Sequence, residues 1–264
     1  MSVLLLRLVG PLQSWGAAAR FARRSTENAP TKSGVVGLLA AALGRTRESD
    51  VSDLAALRFG VRIDQPGSRL RDFQTAHHAD SGRAMPLSER FYLSDAAFVA
   101  GVEGEAALLQ ELHDALLTPR FLPYLGRRSC PPSRPITMGP PLDTSLPEAL
   151  RGAEWQASPW YIRQLERSTR STPRTEVPET LDLLLDCPAG ETPDMSLRDS
   201  PVSFDQRHRR YELRGIRSEQ APRPLGTTTP PHDPTWGLTP LPHSRTATDS
   251  ARTTQSPDAP SRTI

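Results

Sequence analysis

Residues 118–136 read TPRFLPYLGRRSCPPSRPI, with five prolines, four arginines, one cysteine and no acidic residue. Proline lacks the amide donor and clashes with the preceding helical turn, which excludes a helix. It also punctuates the stretch too densely for a central strand. What remains is a stiff loop that holds Arg127 and Arg128 directly after Gly126. Glycine lets backbone amides approach a phosphate closely, and a guanidinium can fork onto two phosphate oxygens. The stretch therefore reads as an anion cradle. The competing reading is a surface loop paired with the acidic segment that follows Asp143. No Walker pattern accompanies it, so a nucleoside triphosphate is not implied.

Three other groups could carry chemistry. Cys130 follows the two arginines, which would lower a thiol pKa. No histidine is placed beside it to act as base, and Pro131–Pro132 is unlike a nucleophile elbow, so a small, half-buried loop residue is the stronger reading. His77 and His78, with Tyr92 and Lys32, could form a metal-independent RNA-cleaving set of general base, general acid and phosphate-steadying cation. Adjacent histidines on an extended segment point to opposite faces, however, and an exposed polar loop is the stronger reading. The third group is Gln13-Ser14-Trp15-Gly16, with Arg20, Arg23 and Arg24 downstream. Its tryptophan can stack a base or fill a core. Cys130 and Cys187 form no CxxC or Cys/His cluster, so neither a disulfide framework nor a zinc site is expected. No cofactor is implied.

Charge is segregated along the chain. The net charge is only +2, but residues 1–47 hold seven basic residues against Glu27 alone. Residues 206–217 add Arg207, Arg209, Arg210, Arg214 and Arg217 against Glu212, whereas 143–194 is acidic overall. Segregation of this kind points to a polyanion-binding face. An arginine-biased composition is the plainer explanation, since Lys32 is the only lysine. The chain is long enough for a real core. Its hydrophobic content of 36% is low for 264 residues, so part of it is expected to stay unfolded. No apolar run approaches the roughly 20 residues that cross a bilayer, and MSVLLLRLVG lacks the basic start of a signal peptide. A cytoplasmic protein with no membrane partner is expected.

The elements that would position these groups follow from pattern. Residues 3–9 form a first strand, stopped by Gly10-Pro11. Thr31 or Ser33 caps a helix, SGVVGLLAAALG, whose apolar circumference requires burial. Residues 57–64 alternate as a half-buried strand, 70–75 form another, 77–87 read as a hairpin tip or long loop, and 91–102 resume strand character. Leucines at helical spacing make 105–117 an amphipathic helix closed by Pro119. Residues 140–180 read as mostly irregular, anchored by Trp155, Trp160 and Tyr161. Two more strands are expected at 181–187 and 209–217. From Ser218 onward Pro, Thr, Ser and Ala predominate, which predicts a disordered tail. The order β-α-β-β-α-β fits an α+β, ferredoxin-like fold with additions, an architecture that RNA-recognition motifs share.

GPLQSWG, PTKSGVVGLLAAALG, LRDFQT and TPRFLPYLGRRSCPPSRP, strung in this order, resemble the Cas-five family of CRISPR-associated RAMP proteins, type I-E. The resemblance covers about residues 1–217. It implies a ferredoxin-like (RRM-like) RNA-binding domain at 1–138 with an inserted hairpin thumb at about 76–90. A small C-terminal β-rich portion would follow at 139–217, and the 218–264 tail would lie outside the family pattern. It implies a non-catalytic subunit of the Cascade surveillance complex that grips and caps the 5′ handle of the CRISPR RNA in antiviral defence. Its partners would be that RNA, a CasC-type backbone subunit, a CasA-type large subunit and, indirectly, target DNA. Because a sister subtype uses its Cas-five member as the processing nuclease, a metal-independent endoribonuclease is the alternative. The resemblance places Gln13, Trp15 and Gly16 in the first RNA-facing loop. Lys32 and Ser33 fall at a helix N-terminus, where amides favour anions. Gly126, Arg127 and Arg128 fall in the glycine loop. In the thumb, Arg83, Met85 and Arg90 are expected to touch RNA and to wedge between handle and guide.

Overall fold

A computed structural model of the chain describes residues 1–17, 23–171, 178–205 and 207–224. The elements run β1 (Ser2–Val9), β2 (Leu12–Gln13), β3 (Arg23–Arg24), α1 (Lys32–Ala42), α2 (Ser52–Ala55), β4 (Arg58–Gln65), β5 (Ser68–Gln74), β6 (Ser88–Ser94), β7 (Ala97–Gly104), α3 (Ala106–Leu117), α4 (Leu146–Gly152), α5 (Pro159–Ser171), β8 (Thr180–Asp186), β9 (Met195–Ser203) and β10 (Arg210–Pro222). The fold is mixed α+β on largely antiparallel sheets.

The larger sheet has six strands in the order β1-β7-β4-β8-β10-β9, with every neighbour antiparallel. Successive side chains of a strand alternate between faces, and β1 shows this directly. Leu4, Leu6 and Leu8 join Phe59, Val61, Phe98 and Val102 in one core, under Val35, Val36 and Leu39 of α1 and Leu109 and Leu112 of α3. Val3 and Leu5 join Val99, Leu183 and Leu185 on the other face, under Leu146 and Leu150 of α4. Each fully buried leucine contributes roughly 1.5–3 kcal/mol of transfer free energy. After the proline-rich loop the chain returns along the free edge of β1. Ser133 N–H donates to Val9 O, Arg7 N–H to Ile136 O and Val3 N–H to Leu142 O, with antiparallel bridges Leu6–Thr137 and Val3–Leu142.

The smaller sheet is centred on β6. One edge of β6 pairs with β5 over Ser68–Gln74, and the other pairs with β2 and, in parallel, with β3. The β5–β6 hairpin carries the polar tip expected at 77–87, closed by an isolated bridge between His77 and Ala84.

Several expectations are corrected. Residues 140–180 are not mostly irregular, since they hold α4 and α5. Their prolines misdirect the reading: Pro147 and Pro159 sit in first helical turns, where a missing N–H costs nothing, and α4 is closed by a Ser145–Glu148 capping box. Residues 91–102 are not one strand, because Asp95, at φ 55°, separates β6 from β7. Strand β9 was not expected. It is an edge strand containing Pro201 and two register shifts against β10, so alternation is broken along it. The tail does not begin at Ser218. Ser218–Pro222 complete β10 and pair with Thr180–Leu184, while residues 225–264 and Arg20 lie outside the described residues. No helix among the described residues is long and apolar enough to cross a membrane.

Candidate nucleic-acid interface

The glycine loop closes on itself. Leu125 N–H donates to Cys130 O at 2.7 Å, and Cys130 N–H donates back to Arg127 O at 2.9 Å. Leu125 and Cys130 are fully buried beneath it. Gly126 adopts φ +83°, and a Cβ on it would lie 1.7 Å from Ser14 O. Both conformation and space therefore require glycine here. The loop is pinned to the segment after β1, since Ser14 N–H donates to Leu125 O at 3.1 Å.

Arg127 is the second pin. Its guanidinium donates to Phe91 O at 3.1 Å and Arg24 O at 2.9 Å, and lies 4.7 Å from the Tyr92 ring centroid. A planar fork on two carbonyls and an aromatic face is a geometry that lysine cannot reproduce. Arg127 thus ties the loop to β3 and β6. Arg128 is exposed, with no hydrogen bond or ion pair among the described residues. The sequence treats the two arginines alike, whereas the structure separates an anchor from a free cation.

Gln13 and Trp15 are correspondingly not surface contacts. Gln13 is fully buried, donating from Nε2 to Leu8 O and Ala96 O at 3.0 and 2.7 Å and accepting the Trp15 indole N–H at 3.0 Å. Trp15 is fully buried too, and a Cβ on Gly34 would meet its ring at 2.7 Å. The tryptophan and the small residues at the start of α1 are therefore matched to each other, and the ring offers no face to a base. Gly16 remains exposed beside them.

Lys32 and Ser33 are also buried, and the anion at the N-terminus of α1 is the protein's own. Lys32 N–H donates to Asp199 Oδ2 at 2.7 Å, and Lys32 Nζ reaches Asp186 Oδ2 at 3.1 Å. Arg214 completes the group with two bonds to Asp199 and one to Asp186, each 2.8 Å. A carboxylate satisfies the first-turn amides of a helix as a phosphate would. The lysine is thereby removed from any site at the hairpin.

The exposed cations are clustered by strand register. Arg23 and Arg24 of β3 lie beside Glu89 and Arg90 of β6. Arg23 is 4.0 Å from Glu89 and stands over Phe91 at 5.3 Å. Arg90 is flanked by Arg24 on one side and Asp72 on the other. The Asp72 carboxylate accepts instead from Phe73 N–H and Gln74 Nε2. The Arg90 Nε is buried without a partner among the described residues. Like charges side by side repel, and an unpaired buried donor costs free energy. A phosphate at the exposed ends of these side chains would ease the repulsion between Arg24 and Arg90. Arg83 and the half-exposed Met85 lie on the hairpin, beside a concavity of about 610 Å³ that His78, Ser81 and Pro86 help to line.

The cleavage set is not assembled. His77 Nδ1 is 3.1 Å from Gly82 O, and His78 faces Asp80 at 4.0 Å. Tyr92 is buried under Arg127, and Lys32 is committed to Asp186. Burial pushes the Cys130 thiol pKa up despite Arg127. Among the described residues no three His, Cys, Asp or Glu side chains are grouped to hold a metal.

Residues 3–217 match the family described as CRISPR-associated protein (Cas_Cas5). The chain is 39% identical over 159 residues to the CRISPR system Cascade subunit CasD of Escherichia coli (strain K12), spanning 52% of this chain and 70% of that protein. Its fold resembles a Cas protein crystal structure at 44% identity and TM-score 0.63, covering 84% of this chain and 95% of that one. It also resembles a chain of a CRISPR RNA-guided surveillance complex at 29% identity and TM-score 0.62, covering 84% and 91%. The chain belongs to the CRISPR-associated Cas5 family.

Proposed function

We propose that this protein is the non-catalytic Cascade subunit that binds and caps the 5′ handle of the CRISPR RNA. The observation that carries the reading is the glycine loop, which is held by Arg127 on the carbonyls of Arg24 and Phe91 and by its contact with Ser14, and which leaves Gly126 and Arg128 exposed. Relatives named as a Cascade subunit and as part of an RNA-guided surveillance complex support it. Single-stranded RNA is held by phosphate contacts combined with splayed bases, so Arg83 and Met85 on the hairpin are the residues to separate handle from guide. Gln13 and Trp15 brace the segment after β1 from within the core, whereas Lys32 and Ser33 are buried at the start of α1, where Lys32 serves the cluster with Asp186, Asp199 and Arg214. CasC-type and CasA-type subunits are the neighbours, target DNA is met through the complex, and the setting is cytoplasmic.

The same reading takes the body at 1–138 as ferredoxin-like. The β1-β7-β4 neighbour order, with the 137–142 return beside β1, supports that class. The 139–217 portion is then an addition whose strands β8, β9 and β10 extend the same sheet.

Reconstitution of the complex with CRISPR RNA that carries or lacks the handle tests the function. Handle-less RNA should bind at least about tenfold more weakly, a difference near 1.4 kcal/mol. Equal affinity would refute the assignment, and discrete cleavage of repeat RNA in EDTA by the purified chain would favour the endoribonuclease instead.

A further inference from the structure

The basic run at 206–217 is split by the fold into two uses. Arg214 is buried against Asp186 and Asp199, and Arg217 pairs with Glu191 at 2.9 Å. Arg207, Arg209 and Arg210 are exposed, with no hydrogen bond from their side chains and no ion pair among the described residues. Across the ribbon Arg198 is exposed as well, and its guanidinium engages only the carbonyl of Tyr211, at 3.3 Å. Arg198, Arg209 and Arg210 line a shallow concavity of about 360 Å³ together with Val202, Tyr211 and Glu212. The nearby carboxylates offset only part of this charge. Asp205, which accepts the Arg207 amide, and Glu212 are two anions among four cations.

The shape of this surface is as informative as its charge. β9 and β10 form a two-stranded ribbon at the edge of the six-stranded sheet. Register shifts between Arg210 and Tyr211 and between Glu212 and Leu213 increase its twist. A twisted two-stranded ribbon has the width of a duplex major groove. Its aromatic residue, Tyr211, is half-buried and meets Phe204 edge-on at 6.3 Å, which limits its use as a platform for an unpaired base. Arginine contacts to phosphate position a duplex without reading its sequence.

We propose that the arginine-bearing end of the β9–β10 ribbon is a second nucleic-acid surface, one that holds the phosphate backbone of duplex DNA independently of the glycine loop. It does not require the handle assignment, because none of its residues belongs to that site.

Titration of the full chain with a short labelled DNA duplex and, separately, with handle RNA tests this at several salt concentrations. The triple variant Arg207→Gln, Arg209→Gln, Arg210→Gln should lower duplex affinity about tenfold or more and reduce the salt slope by about 2–3, near 0.9 for each phosphate no longer neutralised. The matching triple lysine variant should keep most of the affinity and slope, which separates charge from folding. Handle RNA should be bound by the glutamine variant as by the parent, whereas Arg128→Gln should weaken handle RNA and leave the duplex unaffected. Failure of Arg128→Gln alone would count against the handle site and not against this one. The proposal is overturned if the parent does not bind duplex, if the glutamine variant keeps its affinity and slope, or if handle RNA binding falls instead. It is likewise overturned if only assembly with other subunits suffers, which would identify a protein partner.

Discussion

Lys32 Nζ lies 3.1 Å from Asp186 Oδ2, joining the first residue of α1 to a strand 154 residues further along the chain. With Asp199 and Arg214 this pair makes a four-member charge cluster in which every carboxylate oxygen accepts at least one bond. Removing one member leaves buried charge uncompensated. Asp199→Ala should therefore cost about 3–5 kcal/mol, read as a lower denaturation midpoint with an unchanged slope. A loss below about 1 kcal/mol, the size of an exposed pair, would show that the cluster is not closed to water.

Gly126→Ala strikes conformation and space together. Positive φ and a Cβ directed at Ser14 O both displace the loop, costing about 1–3 kcal/mol in backbone strain. Handle-RNA affinity should fall about tenfold or more as Arg128 moves. Thermal unfolding and an RNA titration on one preparation check both effects. Unchanged affinity would separate the loop from the RNA.

Arg127 and Arg128 should behave differently. Arg128→Ala should reduce the salt slope of RNA binding by about 1 without altering stability. Arg127→Ala should lower stability as well as affinity, and Arg127→Lys should not restore it, because one ammonium cannot serve two carbonyls and the Tyr92 face. Equal slopes and equal stabilities for the two alanine variants would contradict the division between anchor and grip.

The parts of this arrangement that were legible in the sequence are those set by local pattern. Thr31 caps α1 as its hydroxyl and spacing require, accepting from Gly34 N–H. The leucines of α3 alternate with the turn, and Gly126 takes the left-handed conformation that glycine permits. What was not legible depends on long-range pairing. Nothing near Lys32 in the chain announces Asp186 and Asp199. Trp15 looks the same in sequence whether it faces a base or the glycine of α1. The role of Arg127 is set by two carbonyls, on residues 24 and 91, that carry no side-chain signature. Strand β9 is hidden because its alternation is interrupted at its bulges.

Cys130 should be chemically silent. The thiolate is the reactive form, and burial holds the Cys130 thiol above its usual range. At neutral pH a maleimide should label half-buried Cys187 quickly and Cys130 only on unfolding. The sign of the pH effect follows. Above about pH 8.5 the unfolded chain loses the Cys130 proton while the folded chain retains it, so stability falls as pH rises. Cys130→Ala should flatten that slope. Rapid labelling of both thiols would show that the loop opens.

In the proposed function the exposed edge of the glycine loop touches the 5′ handle. A photoreactive amino acid substituted for Arg128, with the complex assembled on full-length CRISPR RNA and irradiated, reads that contact directly. A crosslink confined to handle nucleotides is expected, and it should disappear when Gly126→Ala is added. Crosslinks to the guide segment, or to no RNA at all, would contradict that function.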